Sequence, residues 1–273
     1  MFKIIDSHIH LDLYKDEEIA QMMGELEQTG CAGLISVSFH LDSCQRNLAL
    51  GKKFSKVYPA FGFHPEQPLP NDQELAELIS WLESRVASMT AVGEVGLPYY
   101  LRTEHGPGFQ LEGYIELLET FIKLAKKWDK PIVLHAVYDD APIACDLLEK
   151  HNVKNAHFHW FKGDLKTTER MAENGFFISV TPDVTYDEEI QALARLYPLD
   201  LMMVETDGPW RFEGQFSGKM THPVMIHDAI LEIARLKKAS LPSVYKTLYD
   251  NTTIFYSLSH DLVLMDPKTE KDR

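Results

Sequence analysis

The chain alternates from end to end between short apolar, β-branched runs and longer amphipathic stretches, and this alternation limits the folds open to it. The eight candidate strands are Lys3–Ser7, Gly33–Ser38, Val57–Phe63, Thr90–Glu94, Pro131–His135, Ala156–Trp160, Phe176–Val180 and Leu201–Glu205. A helical period predicts helices that include Glu17–Gln28, Asp72–Ser88, Leu111–Trp128, Ile190–Tyr197, His222–Leu236 and Leu241–Tyr249. Eight strand–helix units in 273 residues are the size of a (β/α)8 barrel. A doubly wound parallel sheet fits the same alternation, so the period alone leaves both α/β folds open.

The chain shows no internal boundary that would divide it into domains. No linker, charge block or internal repeat interrupts the alternation, and we therefore predict one domain over residues 1–265. Residues 266–273 are polar and are predicted to form a C-terminal tail.

The formal net charge of −14 argues against recognition of nucleic acid by a general basic surface. A bound phosphate would need a local attraction, for which a metal centre is the obvious source. Cys31, Cys44 and Cys145 are odd in number and form no Cys-x-x-Cys pair, which argues against a disulfide framework and a thiolate zinc site. The chain has no signal-peptide pattern and no apolar run of ~18 residues, so we expect a cytoplasmic protein with no membrane partner.

Ionisable residues gather at the ends of five predicted strands, where a barrel enzyme carries its catalytic groups. His8 and His10 are two residues apart, so an extended chain projects both imidazoles to one side, as two ligands of one ion require. The whole set is His8, His10, Glu94, His135, His159 and Asp207. A single His-x-His pair is weak evidence, because core and surface histidines give the same spacing. The joint pattern predicts a divalent-metal site, because each group occupies the same relative place in its strand–helix unit.

The other histidines lack this context. His157 lies two residues before His159 on the same face of its strand, and we predict that it is a core residue or supports the site from behind. Six further histidines are predicted to be surface or helix residues: His40, His105, His151, His222, His227 and His260.

Six segments in this order make the chain similar to a known family. They are Asp6-Ser7-His8-Ile9-His10-Leu11, Phe61-Gly62-Phe63-His64-Pro65, Gly93-Glu94-Val95-Gly96-Leu97, Lys130-Pro131-Ile132-Val133-Leu134-His135, His159-Trp160-Phe161-Lys162-Gly163 and Glu205-Thr206-Asp207-Gly208-Pro209-Trp210. With them the chain resembles the TatD family of metal-dependent hydrolases, which belongs to the amidohydrolase-like barrels. The resemblance implies a TIM-type (β/α)8 barrel, hydrolase activity, a centre of one or two metals and, typically, deoxyribonuclease activity.

The resemblance also implies a role for each site residue. It implies that one divalent ion is held by His8, His10 and Asp207, a second by His135 and His159, and that Glu94 bridges the two. Asp207 and Glu94 are then the catalytic residues, with Asp207 as ligand and general base. His64 is predicted to contact the substrate. Imidazole and carboxylate ligands suit Zn, Mn, Co or Ni, and Mg less well, and the sequence does not choose among them.

The chain departs from the family pattern beside these ligands. Pro98 stands where the family commonly has Asp, and Ala136 and Val137 stand where it has Ser and Arg. Trp160 and Lys162 replace the usual Cys and Ser. None of these changes removes a predicted ligand, but they alter the surroundings that set affinity and substrate choice.

Three functions are consistent with this pattern. We predict a metal-dependent hydrolase that acts on phosphodiester bonds, with DNA or another phosphodiester as substrate and no protein partner implied. One alternative is a metal-dependent amide or ester hydrolase with a small acyl substrate, and another is a metal-bound binding protein without activity. Arg211 and Lys219, together with Lys162, either restore positive charge near an anionic substrate or are plain surface residues.

Overall fold

The computed structural model describes residues 2–258, so the predicted tail at 266–273 and His260 lie outside the described residues. Its strands are β1 Ile4–Ile9, β2 Cys31–Ser36, β3 Val57–Phe61, β4 Ala91–Gly96, β5 Ile132–His135, β6 Ala156–Phe158, β7 Phe177–Val180 and β8 Met202–Val204. They run parallel in sequential order, and each strand pairs with the next. After β8 the Asp207 N–H donates to the His8 carbonyl at 2.9 Å, and the His10 N–H donates to the Gly208 carbonyl at 2.8 Å. The ring is thereby nearly closed, and the predicted TIM-type (β/α)8 fold is confirmed.

Helices surround the barrel and connect its strands. They are α1 Asp16–Glu25, α2 Leu41–Lys53, α3 Asp72–Glu83, α4 Tyr99–His105, α5 Glu112–Trp128, α6 Asp140–His151, α7 Leu165–Glu173, α8 Glu188–Leu196, α9 Ile226–Lys237 and α10 Leu241–Phe255. The β4–β5 connection carries two helices. The first, α4, begins after Pro98 and ends at Gly106, whose φ of +71° favours glycine.

Irregular strand pairing changes the direction of side chains near the C-terminal ends of β1 and β4. The register of β1 against β2 shifts between Asp6 and Ile9, and that of β4 against β5 shifts between Val92 and Val95. A local shift of this kind breaks the strict alternation of inward and outward side chains. Ile5 packs into the barrel interior. Because the register shifts after Asp6, His8, three residues later, also faces inward, with its ring centroid 6.5 Å from that of His157.

An inner apolar cluster fills the barrel below the site. It consists of Ile5, Ala32, Ile35, Val37, Ala60, Ala91, Val133 and Met203, together with Phe255, Tyr256 and Leu258 from the end of α10 and the residues after it. In β1, β4, β5 and β8 the cluster residue precedes the site residue of the same segment. The cluster therefore occupies the N-terminal end of the barrel, and the end of α10 closes it.

None of the helices in residues 2–258 is long and apolar enough to cross a membrane.

Cys31, Cys44 and Cys145 are buried and free. Burial raises the pKa of each of their thiols to about 12, so all three are protonated at neutral pH.

Candidate metal centre

Side chains from five strands meet at the C-terminal end of the barrel. They come from the ends of β1, β4, β5, β6 and β8 or from the first residues after these strands, and all are buried. The group, which we call the Glu94 cluster, consists of the six predicted ligands His8, His10, Glu94, His135, His159 and Asp207. The structure thus places all six together, and their role as metal ligands stays a prediction.

Glu94 lies at the centre of the cluster, and its two carboxylate oxygens face different histidines. Oε2 lies 3.1 Å from Nε2 of His8 and 3.1 Å from Nε2 of His10. Oε1 lies 3.0 Å from Nδ1 of His135 and 2.7 Å from Nε2 of His159. One carboxylate therefore divides the imidazoles into two pairs, one on each oxygen.

Asp207 completes the first of these two groups. Its Oδ1 lies 3.3 Å from Nε2 of His8 and 3.5 Å from Nε2 of His10. The residue has a φ of +48°, a left-handed conformation that is uncommon for a residue with a side chain and that concentrates at functional sites. Its hydrogen bond to the His8 carbonyl holds the backbone in place.

Six buried atoms of the cluster have no hydrogen-bond partner in the part of the chain that the structure describes: Nδ1 and Nε2 of His8, Nδ1 of His10, Nδ1 of His159, Oε2 of Glu94 and Oδ1 of Asp207. An unpaired buried polar atom costs about 1–3 kcal/mol, and more when it is charged. Nε2 of His8 lies 3.1 Å from Oε2 of Glu94 and 3.3 Å from Oδ1 of Asp207, and one divalent ion would satisfy these three atoms, because imidazole nitrogen and carboxylate oxygen are ordinary metal donors. The residues present therefore fit a divalent metal.

The electrostatics of the cluster favour ionised carboxylates. Burial raises the pKa of Glu94, but the imidazoles around it, His159 foremost, outweigh burial and hold that pKa well below its ordinary value. Burial and the neighbouring His159 disfavour the charged form of His8, yet Glu94 and Asp207 raise its pKa to about 9. Positive charge is thus favoured between these carboxylates, and either a proton or a metal ion supplies it.

Glu66 belongs to the site although the sequence analysis gave it no role. Its Oε1 lies 3.1 Å from Nε2 of His135, while Nδ1 of the same ring faces Glu94. A carboxylate that accepts the Nε2 proton leaves the Nδ1 lone pair directed at the centre, an arrangement common behind metal-bound histidines. Glu66 also accepts hydrogen bonds from the N–H groups of Tyr100 and Leu101, at the start of α4. Its position directly after the segment that ends at Pro65, two residues after His64, was the available signal.

Glu205 and Asp6 support the cluster from behind and were also missed. Oε1 of Glu205 accepts the Trp160 N–H at 2.7 Å and lies 3.8 Å from Nδ1 of His159. Asp6 accepts hydrogen bonds from the N–H and the hydroxyl of Thr206, at 2.9 and 2.5 Å, and thereby joins β1 to the end of β8. Burial raises the pKa of Asp6 to about 7. Both carboxylates lie in segments that carry predicted ligands, but neither contact is visible in the sequence.

His64 faces the cluster and lines the cavity above it. Its Nδ1 accepts the Glu66 N–H at 3.1 Å, and its Nε2 lies 3.3 Å from Oε1 of Glu94. Its ring stacks on Phe39, with centroids 4.1 Å apart. Burial lowers the pKa of His64 to about 4, so the ring is neutral and carries its proton on Nε2. The predicted substrate contact stays a prediction, and in this structure that proton points to Glu94.

His157 is buried in the barrel interior, as predicted, and both of its nitrogens have partners. Nδ1 lies 2.7 Å from the Tyr256 hydroxyl, and Nε2 lies 2.6 Å from the Ser179 hydroxyl. The prediction that His222 is a surface or helix residue is wrong, because the residue is buried and precedes the turn Pro223–Met225. Its Nδ1 accepts the Val224 N–H at the start of the turn that precedes α9.

A cavity of about 640 Å³ opens above the cluster. Its base contains His10, His64, His135, His159 and Asp207. Its walls are apolar or aromatic (Phe39, Tyr100, Leu101, Val137, Trp160 and Trp210), with two carboxylates, Glu66 and Glu104. Volume and lining are typical of a small-molecule site.

The three basic residues weighed for a role at the site do not line this cavity. Lys162 points to Asp187, with Nζ 3.4 Å from its carboxylate, and Arg211 and Lys219 are exposed outside the lining. In the part of the chain that the structure describes, no lysine or arginine side chain lines the cavity.

A (β/α)8 barrel whose strand ends carry a buried cluster of histidines and carboxylates defines the class of metal-dependent hydrolases. The family model described as TatD related DNase matches residues 5–257. The chain therefore belongs to the TatD family, and it is a metal-dependent hydrolase.

Relatives match the chain over nearly its whole length. A metal-dependent hydrolase from Haemophilus influenzae is 42% identical over 257 residues, which cover 93% of this chain and 100% of the relative. The human deoxyribonuclease TATDN3 is 25% identical over 267 residues, which cover 94% and 96% of the two chains. The crystal structure of YjjV, a TatD homologue from Escherichia coli, superposes with a TM-score of 0.84 at 26% identity and covers 94% of this chain and 98% of the other.

Proposed function

We propose that this protein hydrolyses phosphodiester bonds with two divalent ions held by the Glu94 cluster. The observation that carries the proposal is the division of the donors between the two oxygens of Glu94. A carboxylate placed between two donor groups is suited to bridge two ions, and paired ions serve in-line displacement at phosphorus. The family description and the name of the human relative support the same reaction.

Each residue of the cluster has a defined task in this proposal. His8, His10 and Asp207 would hold one ion, His135 and His159 would hold the other, and Glu94 would contribute one oxygen to each. The bound ions would polarise the phosphoryl oxygen and lower the pKa of water to ~7. Glu66 keeps the proton of His135 on Nε2, so that the lone pair of Nδ1 stays free to bind a metal ion.

Asp207 is the general base of the proposed reaction. Its carboxylate lines the cavity and has a buried oxygen without a hydrogen-bond partner among residues 2–258, whereas Glu94 is fully enclosed by imidazoles. Interaction with His8, His159 and His10 outweighs burial and keeps the pKa of Asp207 below its ordinary value, so the group is ionised and ready to accept a proton. His64 would turn its Nε2 proton from Glu94 to a phosphoryl oxygen of the substrate.

The test combines metal exchange with a panel of substrates. The purified protein is stripped with a chelator and reloaded separately with Zn²⁺, Mn²⁺, Co²⁺, Ni²⁺ or Mg²⁺. It is then assayed with bis(p-nitrophenyl) phosphate, p-nitrophenyl phosphate, p-nitrophenyl acetate and an N-acetyl amino acid. We expect metal-dependent hydrolysis of the diester, and we expect Asp207→Asn to lower kcat by ~10²–10⁴. Asp72→Asn, an exposed carboxylate change in α3, is the control and should leave kcat unchanged.

Two outcomes would overturn the proposal. Hydrolysis of the acyl substrates without hydrolysis of the diester would assign the site to an amide or ester hydrolase. Bound metal without turnover of any of the four substrates would favour a binding protein without activity.

A further inference from the structure

The cavity above the Glu94 cluster differs in charge from the surfaces that bind nucleic acid. Proteins bind the polyanionic backbone through lysine and arginine contacts to successive phosphates. Two nearby cations are paired with other carboxylates, since Nη2 of Arg102 lies 2.5 Å from Asp140 and Lys162 points to Asp187, and Arg211 is exposed outside the cavity lining. Among residues 2–258, no lysine or arginine that lines the cavity offers positive charge to a second phosphate.

The walls carry negative charge instead. Glu66 has its carboxylate compensated by His135 and by two backbone N–H groups. Glu104 is exposed on α4 and has no ion-pair partner among residues 2–258. A second phosphate group of a substrate would therefore meet an uncompensated carboxylate, whereas a cationic group would be attracted to it.

Aromatic side chains surround the same space. Trp160 is fixed at both ends, because its backbone N–H binds Glu205 and its indole Nε1 donates to Asp183 at 2.7 Å. Trp210 and Tyr100 also line the cavity, and Trp210 is 58% exposed at its mouth. Faces of tryptophan and tyrosine attract quaternary ammonium groups. Lys162 Nζ lies 5.8 Å from the Trp160 ring centroid, and Lys162 is outside the cavity lining.

We propose that the centre hydrolyses a small phosphodiester that carries one phosphate and a quaternary-ammonium alcohol, and that it disfavours a polynucleotide strand. The proposal rests on the phosphodiester hydrolysis proposed above and names its substrate class. The single anionic phosphate lies at the base, against the Glu94 cluster. The cationic substituent lies against Glu104 and the faces of Tyr100, Trp160 and Trp210.

The reaction needs only water as a second reactant. The water oxygen bonds to phosphorus while the bond from phosphorus to one ester oxygen breaks. Asp207 takes one proton of the water and returns it to the departing alcohol oxygen, and the other proton stays on the phosphomonoester. No oxidant or reductant takes part.

Three chromogenic diesters test the charge preference in the metal-loaded full-length protein. They are p-nitrophenyl phosphorylcholine, the p-nitrophenyl ester of thymidine 5′-phosphate, and the same thymidine ester with an additional 3′-phosphate. We expect kcat/KM to be highest for the choline ester and lowest for the ester with two phosphates. Glu104→Lys should reduce the choline-to-bisphosphate ratio by about fivefold or more, because an exposed charge contact is worth up to ~1 kcal/mol and the change reverses its sign. Glu116→Lys, on the exposed face of α5, changes the net charge equally and should alter the ratio by less than about twofold.

The outcomes separate this proposal from the one on which it rests. The substrate class would be overturned if kcat/KM for the ester with two phosphates equalled or exceeded that for the choline ester. It would also be overturned if Glu104→Lys and Glu116→Lys changed the choline-to-bisphosphate ratio equally. In both cases the proposal of phosphodiester hydrolysis would remain. Bound metal with no nitrophenolate from any of these esters or from bis(p-nitrophenyl) phosphate would overturn both.

Discussion

The two ends of the barrel interior differ in polarity, although neighbouring residues of the same strands form them. At the N-terminal end Ile5, Val133 and Met203 pack with Phe255 and Tyr256 into a closed apolar cluster. At the C-terminal end, a few residues further along, the interior holds the histidines and carboxylates of the Glu94 cluster, and five of these six residues have a buried atom without a hydrogen-bond partner in residues 2–258. At the N-terminal end the apolar side chains pack against one another, whereas at the C-terminal end polar atoms remain that a bound metal ion would satisfy.

The polar chain between the two ends shows where this change occurs. The Tyr256 hydroxyl contacts His157, His157 contacts Ser179, and Ser179 donates to Glu205 at 2.5 Å. Every member has a partner, as buried polar groups in a stable core require. Incomplete pairing begins only at His159, whose Nδ1 is 3.8 Å from Glu205. Stability should therefore depend mainly on the lower end of the barrel and metal binding on the upper end.

The largest expected effect comes from Glu94→Ala. Removing the central carboxylate takes a ligand from both donor groups, so both ions should be lost and activity should fall by at least ~10³-fold, about 4 kcal/mol of transition-state stabilisation. Elemental analysis of the desalted protein measures the metal, and circular dichroism shows whether the fold persists. Glu116→Ala is the matched control. Retention of one full equivalent of metal would contradict the bridging role.

Phe255→Ala tests the opposite end of the barrel, and its expected effect is on stability and not on activity. Phe255 is buried against Phe177 and Tyr256, with ring centroids 5.0 and 4.8 Å away. The substitution should lower the free energy of unfolding by ~3–5 kcal/mol, because it leaves a cavity in the cluster. Metal affinity of the folded protein should hardly change. Urea unfolding and metal titration measure the two quantities, and a large loss of metal affinity in the folded variant would break the separation of the two ends.

The smallest of the three effects is expected from Glu66→Gln. A neutral amide holds the Nε2 proton of His135 less strongly, so affinity for the ion bound by His135 and His159 should fall by ~10–100-fold. The ion held by His8, His10 and Asp207 should be affected little. Competitive titration with a chromogenic chelator resolves two such affinities. Equal loss of affinity for both ions, or unchanged affinity for both, would show that Glu66 does not orient His135.

Much of the fold and the centre of the site could be predicted from local patterns. The alternating strand and helix periods indicated an α/β fold, and helix α5 buries Leu118, Ile122 and Ala125, which recur at the helical spacing. Strand-end positions brought the six predicted ligands to one place, because parallel strands of a closed barrel all end at the same rim.

The sequence by itself therefore determined the barrel elements and the residues that end up in the Glu94 cluster, since periodicity and strand position are local properties. Only the tertiary structure decided what surrounds them. Glu66 reaches His135 across 69 positions, and Tyr100 and Glu104 reach the cavity because α4 starts on the Glu66 carboxylate. Such contacts depend on how loops of different strands fold over one rim, and no period along the chain encodes that. The positions of the strand ends therefore specify which residues can bind a metal ion, whereas the packing of the loops specifies the charge of the cavity wall.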